Sequence, residues 1–307
     1  MKYRIMIAGP TASGKTALSI DLAMQINAEI ISVDSRQCYR YLDIGTAKPT
    51  KTELSQVPHH NISVLNPDQE DSVADFLKRA EAYSNDIKSR GKRVIYCGGS
   101  TLHLQSLIRP LDDIPSANPE NIRKLNDRAD DQGLESLFSQ LQKTDPEYAK
   151  KMDGLNPQRI IRALDVWYQT GKPFSSFHSD VPLEPPQDLL VFALHHSRKE
   201  LHQRISVRTE QMLEKGFLNE VKNLLQQGFS PDLQALNTVG YRQAISYLKE
   251  EISYDQMKKD IKTATRRYAK RQITWLRRWP FLTWLDMDRL STQEVIKTIL
   301  SYQNQPD

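Results

Sequence analysis

Cysteine is scarce in this chain, and long apolar runs are missing. Only two of the 307 residues are cysteines, Cys38 and Cys97, and their spacing does not match a zinc site. We expect both to be small, partly buried residues in a reducing compartment. No apolar run approaches the roughly 20 residues that a membrane-spanning helix needs, and no export signal is visible. The sequence therefore predicts a cytoplasmic protein without a membrane partner.

Internal repeats, low-complexity tracts and coiled-coil heptads are absent as well. Hydrophobic residues make up 38% of the chain, and the formal net charge is only +4. This composition is typical of a soluble globular protein, and 307 residues suffice for one large domain or two modest ones. The motifs, rather than the bulk composition, must therefore indicate the function.

A phosphate-binding loop stands near the start of the chain. Residues 9–16 read Gly-Pro-Thr-Ala-Ser-Gly-Lys-Thr, which fits the P-loop pattern G-x-x-x-x-G-K-[ST]. The apolar run 5–8 precedes this loop, and a helical pattern over 17–26 follows it. Backbone N–H groups of such a loop surround a phosphate at a helix N-terminus, where the helix dipole adds positive potential. Lys15 would add a point charge, and the Thr16 hydroxyl would suit Mg²⁺.

The acidic residue that ordinary P-loop NTPases carry at the end of a second strand is missing. Most P-loop proteins bind ATP or GTP and carry an acidic residue after another apolar strand, where it helps to hold Mg²⁺. The best candidate strand here, 93–97, is followed by Gly98-Gly99-Ser100-Thr101, with no carboxylate. This absence argues against nucleotide hydrolysis.

A carboxylate does follow a different predicted strand. Asp34 comes directly after the apolar run 29–33. Ligands of an open α/β sheet lie beyond the carboxyl ends of its strands, so Asp34 would face the same crevice as Lys15. There it would orient or deprotonate an acceptor nucleophile. The alternative is that Asp34 caps the next helix.

The chain's positive charge is concentrated near its end. Residues 262–278 have helical periodicity and carry seven cations with no carboxylate: Lys262, Arg266, Arg267, Lys270, Arg271, Arg277 and Arg278. A solvated helix face normally mixes charges of both signs. The one-sided charge therefore predicts a polyanionic partner, in particular a nucleic acid.

Apolar runs alternate with helical patterns over the first third of the chain, as in a parallel sheet covered by helices. Strands are predicted at 3–8, 28–33, 93–97, 188–194 and 281–285. Helices are predicted at 14–26, at 71–90 and from Ser197 to about Gln227. On the last of these, Arg204 and Arg208 share one face, where they would either point at the phosphate crevice or be solvated.

A mostly helical segment interrupts the predicted sheet. A proline-rich break at 110–119 precedes amphipathic helical patterns, and no strand is predicted between 119 and 180. We therefore predict an α/β fold: a P-loop NTPase-like parallel sheet flanked by helices, with an inserted helical lobe. The core would comprise residues 1–115 and 187–307, and the lobe residues 116–186.

Five blocks of sequence resemble bacterial tRNA dimethylallyltransferases, also called tRNA isopentenylpyrophosphate (IPP) transferases. In chain order they are Gly9–Thr16, Asp34–Gln37, Leu42–Pro49, Gly240–Arg242 and Arg266–Trp275, and the resemblance covers nearly the whole chain. It implies transfer of the five-carbon group of dimethylallyl diphosphate to N6 of adenosine 37, beside the tRNA anticodon. It also implies Mg²⁺ as cofactor, the tRNA anticodon stem-loop as partner, and a monomer.

The same resemblance implies roles for individual residues. Asp34 would be the general base, while Lys15, Thr16 and Arg208 would stabilise the leaving diphosphate. The residues implied to bind the diphosphate are Gly9, Thr11, Ala12, Ser13, Gly14, Lys15 and Thr16, with Thr16 as Mg²⁺ ligand. Those implied to bind tRNA are Asp34, Ser35, Arg36, Gln37, Ser100, Arg123, Gln158, Arg159, Ile160, Ile161, Arg162, Asn237, Gly240, Tyr241, Arg242, Lys270, Arg271 and Arg277.

The chain departs from the family pattern at three places. Ser100 and His103 stand where the family usually has Thr and Tyr, and 153–156 differs from the family's His-Pro-Asn-Asp turn.

Three other functions compete with the resemblance. A P-loop small-molecule kinase leaves the basic helix unexplained, and an RNA-binding NTPase lacks the acidic strand end. A prenyltransferase for free adenine nucleotides needs neither the basic helix nor the lobe.

Overall fold

A computed structural model describes residues 3–109, 111–178 and 182–303. The chain forms two compact units, one comprising residues 1–109 and 183–307 and the other residues 110–182. The sequence placed the first boundary at 115/116. It lies earlier because the segment before the lobe's first helix is bonded to the lobe: Arg162 donates to the Pro115 carbonyl, and Gln169 Nε2 donates to the Ser116 carbonyl at 3.0 Å.

The larger unit is built on a parallel sheet of six strands. The strands are β1 (Arg4–Ala8), β2 (Ala28–Val33), β3 (His59–His60), β4 (Arg93–Gly98), β5 (Leu189–His195) and β6 (Thr283–Asp286), in the order β3-β2-β4-β1-β5-β6. The predicted α/β fold with a P-loop-type sheet is confirmed. Strand β3 was not predicted, because two residues are too few to show a period.

The carboxyl ends of the central strands meet at one edge of this sheet. In the register of the sheet, Ala8 at the end of β1 pairs with Gly98 on one side and with Ala193 on the other, and Val33 pairs with Gly98. The loops after β1, β2, β4 and β5 therefore leave the sheet side by side. This edge is where ligands of open α/β sheets bind.

Helices cover both faces of the sheet. Those of the larger unit are α1 (Lys15–Ile26), α2 (Lys51–Gln56), α3 (Val73–Ser89), α4 (Thr101–Ser106), α9 (Arg198–Glu214), α10 (Phe217–Gln226), α11 (Tyr241–Leu248), α12 (Tyr254–Leu276) and α13 (Thr292–Gln303). Alternation along β1 divides the core, since Met6 and Ala8 pack on one face of the sheet and Ile5 and Ile7 on the other. None of the helices in the described part of the chain is long and apolar enough to cross a bilayer.

The helix predicted from Ser197 to about Gln227 is in fact two helices. Ser197 caps the first, as its spacing to Glu200 predicted, with its Oγ accepting from the Glu200 N–H at 3.3 Å. Gly216 then takes φ +91°, a left-handed conformation that ends α9 and that glycine adopts without steric strain. The break turns α10 so that Phe217 is buried in a cluster with α11 and α12.

The longest helix, α12, has an inner and an outer face of different character. Ser253 caps its start, and Met257, Ile261, Ala269, Gln272 and Leu276 are buried along one side. Two of the seven cations bind α9: Lys262 pairs with Glu210 at 2.5 Å, and Arg266 Nη2 donates to Ser206 Oγ at 3.1 Å. The other five cations are exposed, namely Arg267, Lys270, Arg271, Arg277 and Arg278.

The smaller unit is a helical lobe with its own core. Its helices are α5 (Pro119–Gln132), α6 (Leu134–Thr144), α7 (Pro146–Lys150) and α8 (Pro157–Thr170), followed by a 3₁₀ turn, Phe174–Phe177. Asn118 and Asn156 cap α5 and α8, each with proline at the first helical position. The core includes Leu125, Leu137, Leu141, Ile160, Ile161 and Leu164.

A fully buried carboxylate holds the lobe's first segment to α8. Asp165 accepts hydrogen bonds from the Asn118 N–H (3.3 Å), Asn121 Nδ2 (3.2 Å) and Gln169 Nε2 (2.9 Å), and it pairs with Arg162 at 2.6 Å. We expect Asp165→Ala to destabilise the lobe by about 3 kcal/mol, because these donors and the guanidinium lose their acceptor. Chemical denaturation checks this.

The matched control for that prediction is Asp130→Ala on the exposed side of α5, expected to change stability by less than about 0.5 kcal/mol. Equal unfolding midpoints for both variants would contradict a structural role for Asp165.

Candidate active site

The P-loop connects β1 to α1 at the carboxyl edge of the sheet. Helix α1 begins at Lys15 without a side-chain cap and without an acidic residue in its first turn. Its first N–H groups are therefore left for an anion to accept. Within the loop, Ala12 takes φ +65°, a conformation that non-glycine residues rarely adopt outside functional loops.

Backbone groups of the P-loop are held by side chains from other elements. The Thr11 N–H donates to Gln272 Oε1 at 2.9 Å, and Arg204 Nε donates to the Ala12 carbonyl at 2.9 Å. His196 Nε2 lies 3.2 Å from the Ser13 carbonyl oxygen. Arg204 therefore binds the backbone of the loop, and it is not among the residues that line the cavity at this edge of the sheet. Thr11 does line this cavity, although its N–H is already bonded to Gln272.

Lys15 is half-buried and lines the cavity. Its Nζ donates to the Pro10 carbonyl at 2.7 Å and lies 3.5 Å from Ser13 Oγ. Burial, with a smaller contribution from the nearby Arg208, lowers the pKa of Lys15 to about 8 against the opposing influence of Cys97 and Asp34. An anion bound here would be stabilised by this poorly solvated charge.

Asp34 binds a turn rather than the start of a helix, since residues 35–38 form turns, and it also lines the cavity. Its Oδ1 accepts from the backbone N–H groups of Arg36 (2.8 Å) and Gln37 (3.2 Å), so it does hold the turn after β2. Its Oδ2 has no hydrogen-bond partner among the residues that the structure describes. Asp34 also lines the cavity together with Lys15, Thr16 and Arg208. One oxygen thus fixes the carboxylate, and the other is left for a ligand.

The cavity has a volume of about 250 Å³ and combines charged and apolar walls. Burial lowers the pKa of Arg208, whose Nη2 donates to the Thr46 carbonyl at 3.4 Å. The apolar part of the lining includes Ile205, Met212 and Ile261. This arrangement suits an anion with a short apolar group attached.

The inner face of α12 contributes two residues that the sequence had not assigned to the site, Tyr268 and Gln272. Gln272 bridges two loops, accepting from the Thr11 N–H and donating to the Gly99 carbonyl at 2.8 Å. A Cβ at Gly99 would lie 2.4 Å from Gln272 Nε2, so a side chain there would displace the Gln272 amide. Burial, with the Asp34 charge, raises the pKa of Tyr268 to about 12. The sequence signal that could have identified these two residues is their spacing, since Tyr268 and Gln272 lie four positions apart on the otherwise apolar face of α12.

Ser100 is buried and holds the Asp34 turn from behind. Its Oγ accepts from the Ser35 N–H at 2.9 Å, and it is not among the residues that line the cavity. Ser100, which the resemblance implied to bind tRNA, therefore supports the Asp34 turn and does not line the cavity. His103, on the same short helix, packs edge-on against Phe76 with ring centroids 4.7 Å apart.

Tyr241 was expected to stack on RNA, but its side chain is fully buried. Its hydroxyl donates to Glu220 Oε1 at 2.6 Å, and its ring packs edge-on against Phe217. Tyr241 also lines the cavity, and its assignment as a tRNA contact stays a prediction. Gly240 is buried as well and forms the turn that opens α11.

Some of the lobe residues expected to bind tRNA are buried or bonded within the lobe, and others are exposed. Ile160 and Ile161 belong to the lobe's core, so their side chains do not lie on its surface. Arg162 is engaged with Asp165 and the Pro115 carbonyl. The side chains that stay exposed are Arg123, Gln158 and Arg159 in the lobe and Asn237, Arg242, Lys270, Arg271 and Arg277 in the larger unit.

The oxygen ligands in the cavity fit Mg²⁺. No cluster of three or more His, Cys, Asp or Glu side chains that could hold a metal occurs in the described parts of the chain. Thr16 and Asp34 do line one cavity, however, and Mg²⁺ is usually held by one or two protein oxygens together with substrate phosphates. The site therefore suits a magnesium ion that arrives with a phosphate ligand.

Comparison with known proteins agrees with this geometry. The family model described as IPP transferase matches residues 37–279. A tRNA dimethylallyltransferase of Salinibacter ruber is 40% identical over 296 residues, covering 96% of this chain and 91% of the relative. One from Thermoanaerobacter sp. (strain X514) is 41% identical over 303 residues, covering 97% and 96%.

Two solved structures are similar over nearly the whole chain. The tRNA Δ2-isopentenylpyrophosphate transferase of Staphylococcus epidermidis is 35% identical with a TM-score of 0.73, and 99% of each chain is covered. A eukaryotic dimethylallyltransferase acting on tRNA is 30% identical with a TM-score of 0.83, covering 100% of this chain and 81% of the other. The family model and these relatives together show that the chain belongs to the IPP transferase family.

Proposed function

We propose that this protein transfers the dimethylallyl group of dimethylallyl diphosphate to N6 of adenosine 37 in tRNA, next to the anticodon. The observation that carries the proposal is that two half-buried cations, Lys15 and Arg208, share one cavity with Asp34. Only one oxygen of the Asp34 carboxylate is hydrogen-bonded within the described residues. The cations suit a diphosphate, and the carboxylate suits a proton on the acceptor. The family membership of the chain supports the same reaction.

The first chemical requirement is departure of the diphosphate. The bond between C1 of the dimethylallyl group and the diphosphate oxygen breaks, and negative charge develops on that oxygen. Lys15, Arg208 and the N–H groups at the start of α1 would stabilise this charge, and each such group is typically worth about 3–4 kcal/mol in the transition state. Mg²⁺ held by the diphosphate and Thr16 would supply further charge neutralisation.

The second requirement is a nucleophilic amine. The lone pair of N6 is delocalised into the purine, so N6 must lose a proton as its bond to C1 forms. Asp34 Oδ2 would accept that proton, while the turn keeps Oδ1 in place. General bases of this kind typically contribute about 10²–10⁴-fold to the rate.

Adenosine 37 must leave the stacked anticodon loop to reach a buried cavity. Unstacking a base costs about a few kcal/mol, which contacts to neighbouring nucleotides must offset. In the larger unit the exposed Asn237, Arg242 and the outer face of α12 are suited to such contacts, and in the lobe Arg123, Gln158 and Arg159 are. We propose that a monomer carries out the reaction.

A transfer assay tests the proposal directly. Purified protein, Mg²⁺ and labelled dimethylallyl diphosphate are incubated with an anticodon stem-loop carrying A36-A37, or with the same stem-loop in which A37 is G. We expect label in the A37 RNA alone. Label in neither RNA from a folded protein would contradict the proposal, and fluorescent ATP analogues would then test the kinase and NTPase alternatives.

Donor binding should depend on pH through Lys15. Its pKa is lowered to about 8 in the free protein, so it is charged below pH 8 and loses its charge above it. A diphosphate binds the charged form. The Kd for dimethylallyl diphosphate should therefore be flat below pH 8 and rise towards about tenfold per pH unit above it. Titration calorimetry from pH 6.5 to about 9.5 checks this, and Lys15→Met, which cannot titrate, should remove the rise.

The outer face of α12 should carry the salt dependence of tRNA binding. Changing Arg267, Lys270 and Arg271 to Ala should weaken stem-loop binding and reduce its log–log salt slope by about 2, since each phosphate contact to single-stranded RNA contributes about 0.7. Filter binding at several salt concentrations measures the slope. Removing three exposed lysines elsewhere, Lys78, Lys222 and Lys297, should leave it nearly unchanged. Equal slopes for both triple variants would mean that RNA binds another surface.

A further inference from the structure

A buried histidine, paired with an exposed aspartate, supports the P-loop from outside the cavity. His196 follows β5 and is only 5% exposed. Its Nδ1 lies 2.6 Å from Asp288 Oδ1, and its Nε2 lies 3.2 Å from the carbonyl oxygen of Ser13. Asp288 Oδ2 in turn accepts from the Ser197 N–H at 2.7 Å. The pair thus joins the loop after β6 to a peptide group in the middle of the P-loop.

Both ring nitrogens of His196 face hydrogen-bond acceptors. A carbonyl oxygen only accepts, and an ionised carboxylate only accepts. The Ser197 N–H and the His196 ring lower the pKa of Asp288 to about 2, so its carboxylate is ionised at neutral pH. A hydrogen on each ring nitrogen would let His196 donate to both acceptors at once. Lys199, Glu200 and Arg204 are the other charged groups lining the shallow cavity beside it.

The peptide group bound by His196 joins Ser13 to Gly14, and Gly14 directly precedes Lys15. In a trans peptide the C=O and N–H bonds point in opposite directions. Holding the Ser13 carbonyl towards His196 therefore turns the Gly14 N–H away from it, and this N–H has no partner among the described residues. A hydrogen bond to the carbonyl also polarises the peptide and makes its N–H a stronger donor.

We propose that His196, held by Asp288, is a positioning residue that presents the Gly14 N–H to the diphosphate of the donor. This inference rests on the proposed function for the identity of the anion. It adds a side chain outside the cavity that acts through the loop backbone and touches neither substrate.

Two substitutions of His196 separate the contributions of its two hydrogen bonds, one to Asp288 and one to the Ser13 carbonyl. In His196→Gln the amide nitrogen replaces Nε2 and keeps a donor to the Ser13 carbonyl. In His196→Asn the shorter amide reaches only Asp288. We expect the Kd for pyrophosphate with Mg²⁺ to rise about tenfold in the Asn variant, as for loss of one charge-assisted hydrogen bond, and less than about threefold in the Gln variant. The Kd for the stem-loop should stay within about twofold in both.

The matched control is the neighbouring His195→Asn, whose ring contacts Trp284 edge-on and should not affect pyrophosphate binding. Nitrogen NMR of the wild-type protein should show a hydrogen on each ring nitrogen of His196. The Gly14 amide signal should move in the Asn variant and much less in the Gln variant.

A singly protonated ring would overturn the proposal, as would pyrophosphate affinities that fall equally in the Asn and Gln variants in step with their melting temperatures. If the wild-type protein binds no pyrophosphate, the proposed function fails. The ring and Gly14 signals then still decide whether His196 positions the loop.

Discussion

Asp34→Asn should lower kcat for transfer by about 10²–10⁴-fold while changing KM for either substrate by less than about threefold. The reason is that a general base acts only in the transition state. The substitution is well suited to this chain, because the amide oxygen of the new side chain can still accept from the N–H groups of Arg36 and Gln37. The turn should therefore persist, and only the proton acceptor is lost. Steady-state kinetics with saturating stem-loop measures both constants.

Two further variants make that result interpretable. Asp34→Ala removes the turn's acceptor as well, so it should lose stability in addition to activity, whereas Asp34→Asn should keep its melting temperature. Asp68→Asn, at an exposed position in a loop, controls for the change of charge. An Asp34→Asn enzyme with unchanged kcat would leave Asp34 with its role in the turn alone, and a base would have to be sought elsewhere in the cavity.

The sequence could predict the parts of the site that local pattern determines. A strand, a glycine-containing loop and a helix in immediate succession identify the P-loop, and a carboxylate after the next strand identifies Asp34 because parallel strands share an edge. The lobe's helices are visible for the same reason, since Asn118 and Asn156 each stand before a proline that begins a helix.

What the sequence could not predict depends on residues far apart in the chain. His196 and Ser13 are 183 positions apart, and Gln272 and Thr11 are 261 apart, so no local pattern shows that these side chains hold the P-loop. The burial of Tyr241 is a second feature that local sequence does not show. Its motif resembled an RNA contact, but Glu220 and Phe217 bury it, and only tertiary packing reveals that.

The division of α12 into two faces also follows from packing rather than composition. Counting charge in 262–278 predicted a polyanion-binding helix, but Lys262 and Arg266 bind α9 instead. The inner face carries Tyr268 and Gln272 into the cavity, while the exposed cations lie on the outer face. One helix therefore contributes to the cavity that suits the donor and offers a surface that suits RNA.

Lys15→Met should raise the Kd for dimethylallyl diphosphate by about 10²–10³-fold and leave stem-loop binding within about twofold. The loss should be large because the ammonium group is poorly solvated, so its attraction to a diphosphate is weakly screened. Methionine keeps most of the side chain's volume, which separates the effect of charge from that of a cavity. Calorimetry with the donor and with the stem-loop measures the two affinities independently.

The melting temperature gives this last prediction its sharpest control. Burial lowers the pKa of Lys15, which means that the folded protein holds this charge at a cost in stability whenever the cavity contains no anion. Lys15→Met removes that cost, so the free variant should melt no lower than the wild type, whereas added donor should stabilise only the wild type. Lys222→Met, at an exposed position on α10, should change neither quantity. Equal loss of donor and stem-loop binding in Lys15→Met would mean that the P-loop does not form a site dedicated to the donor.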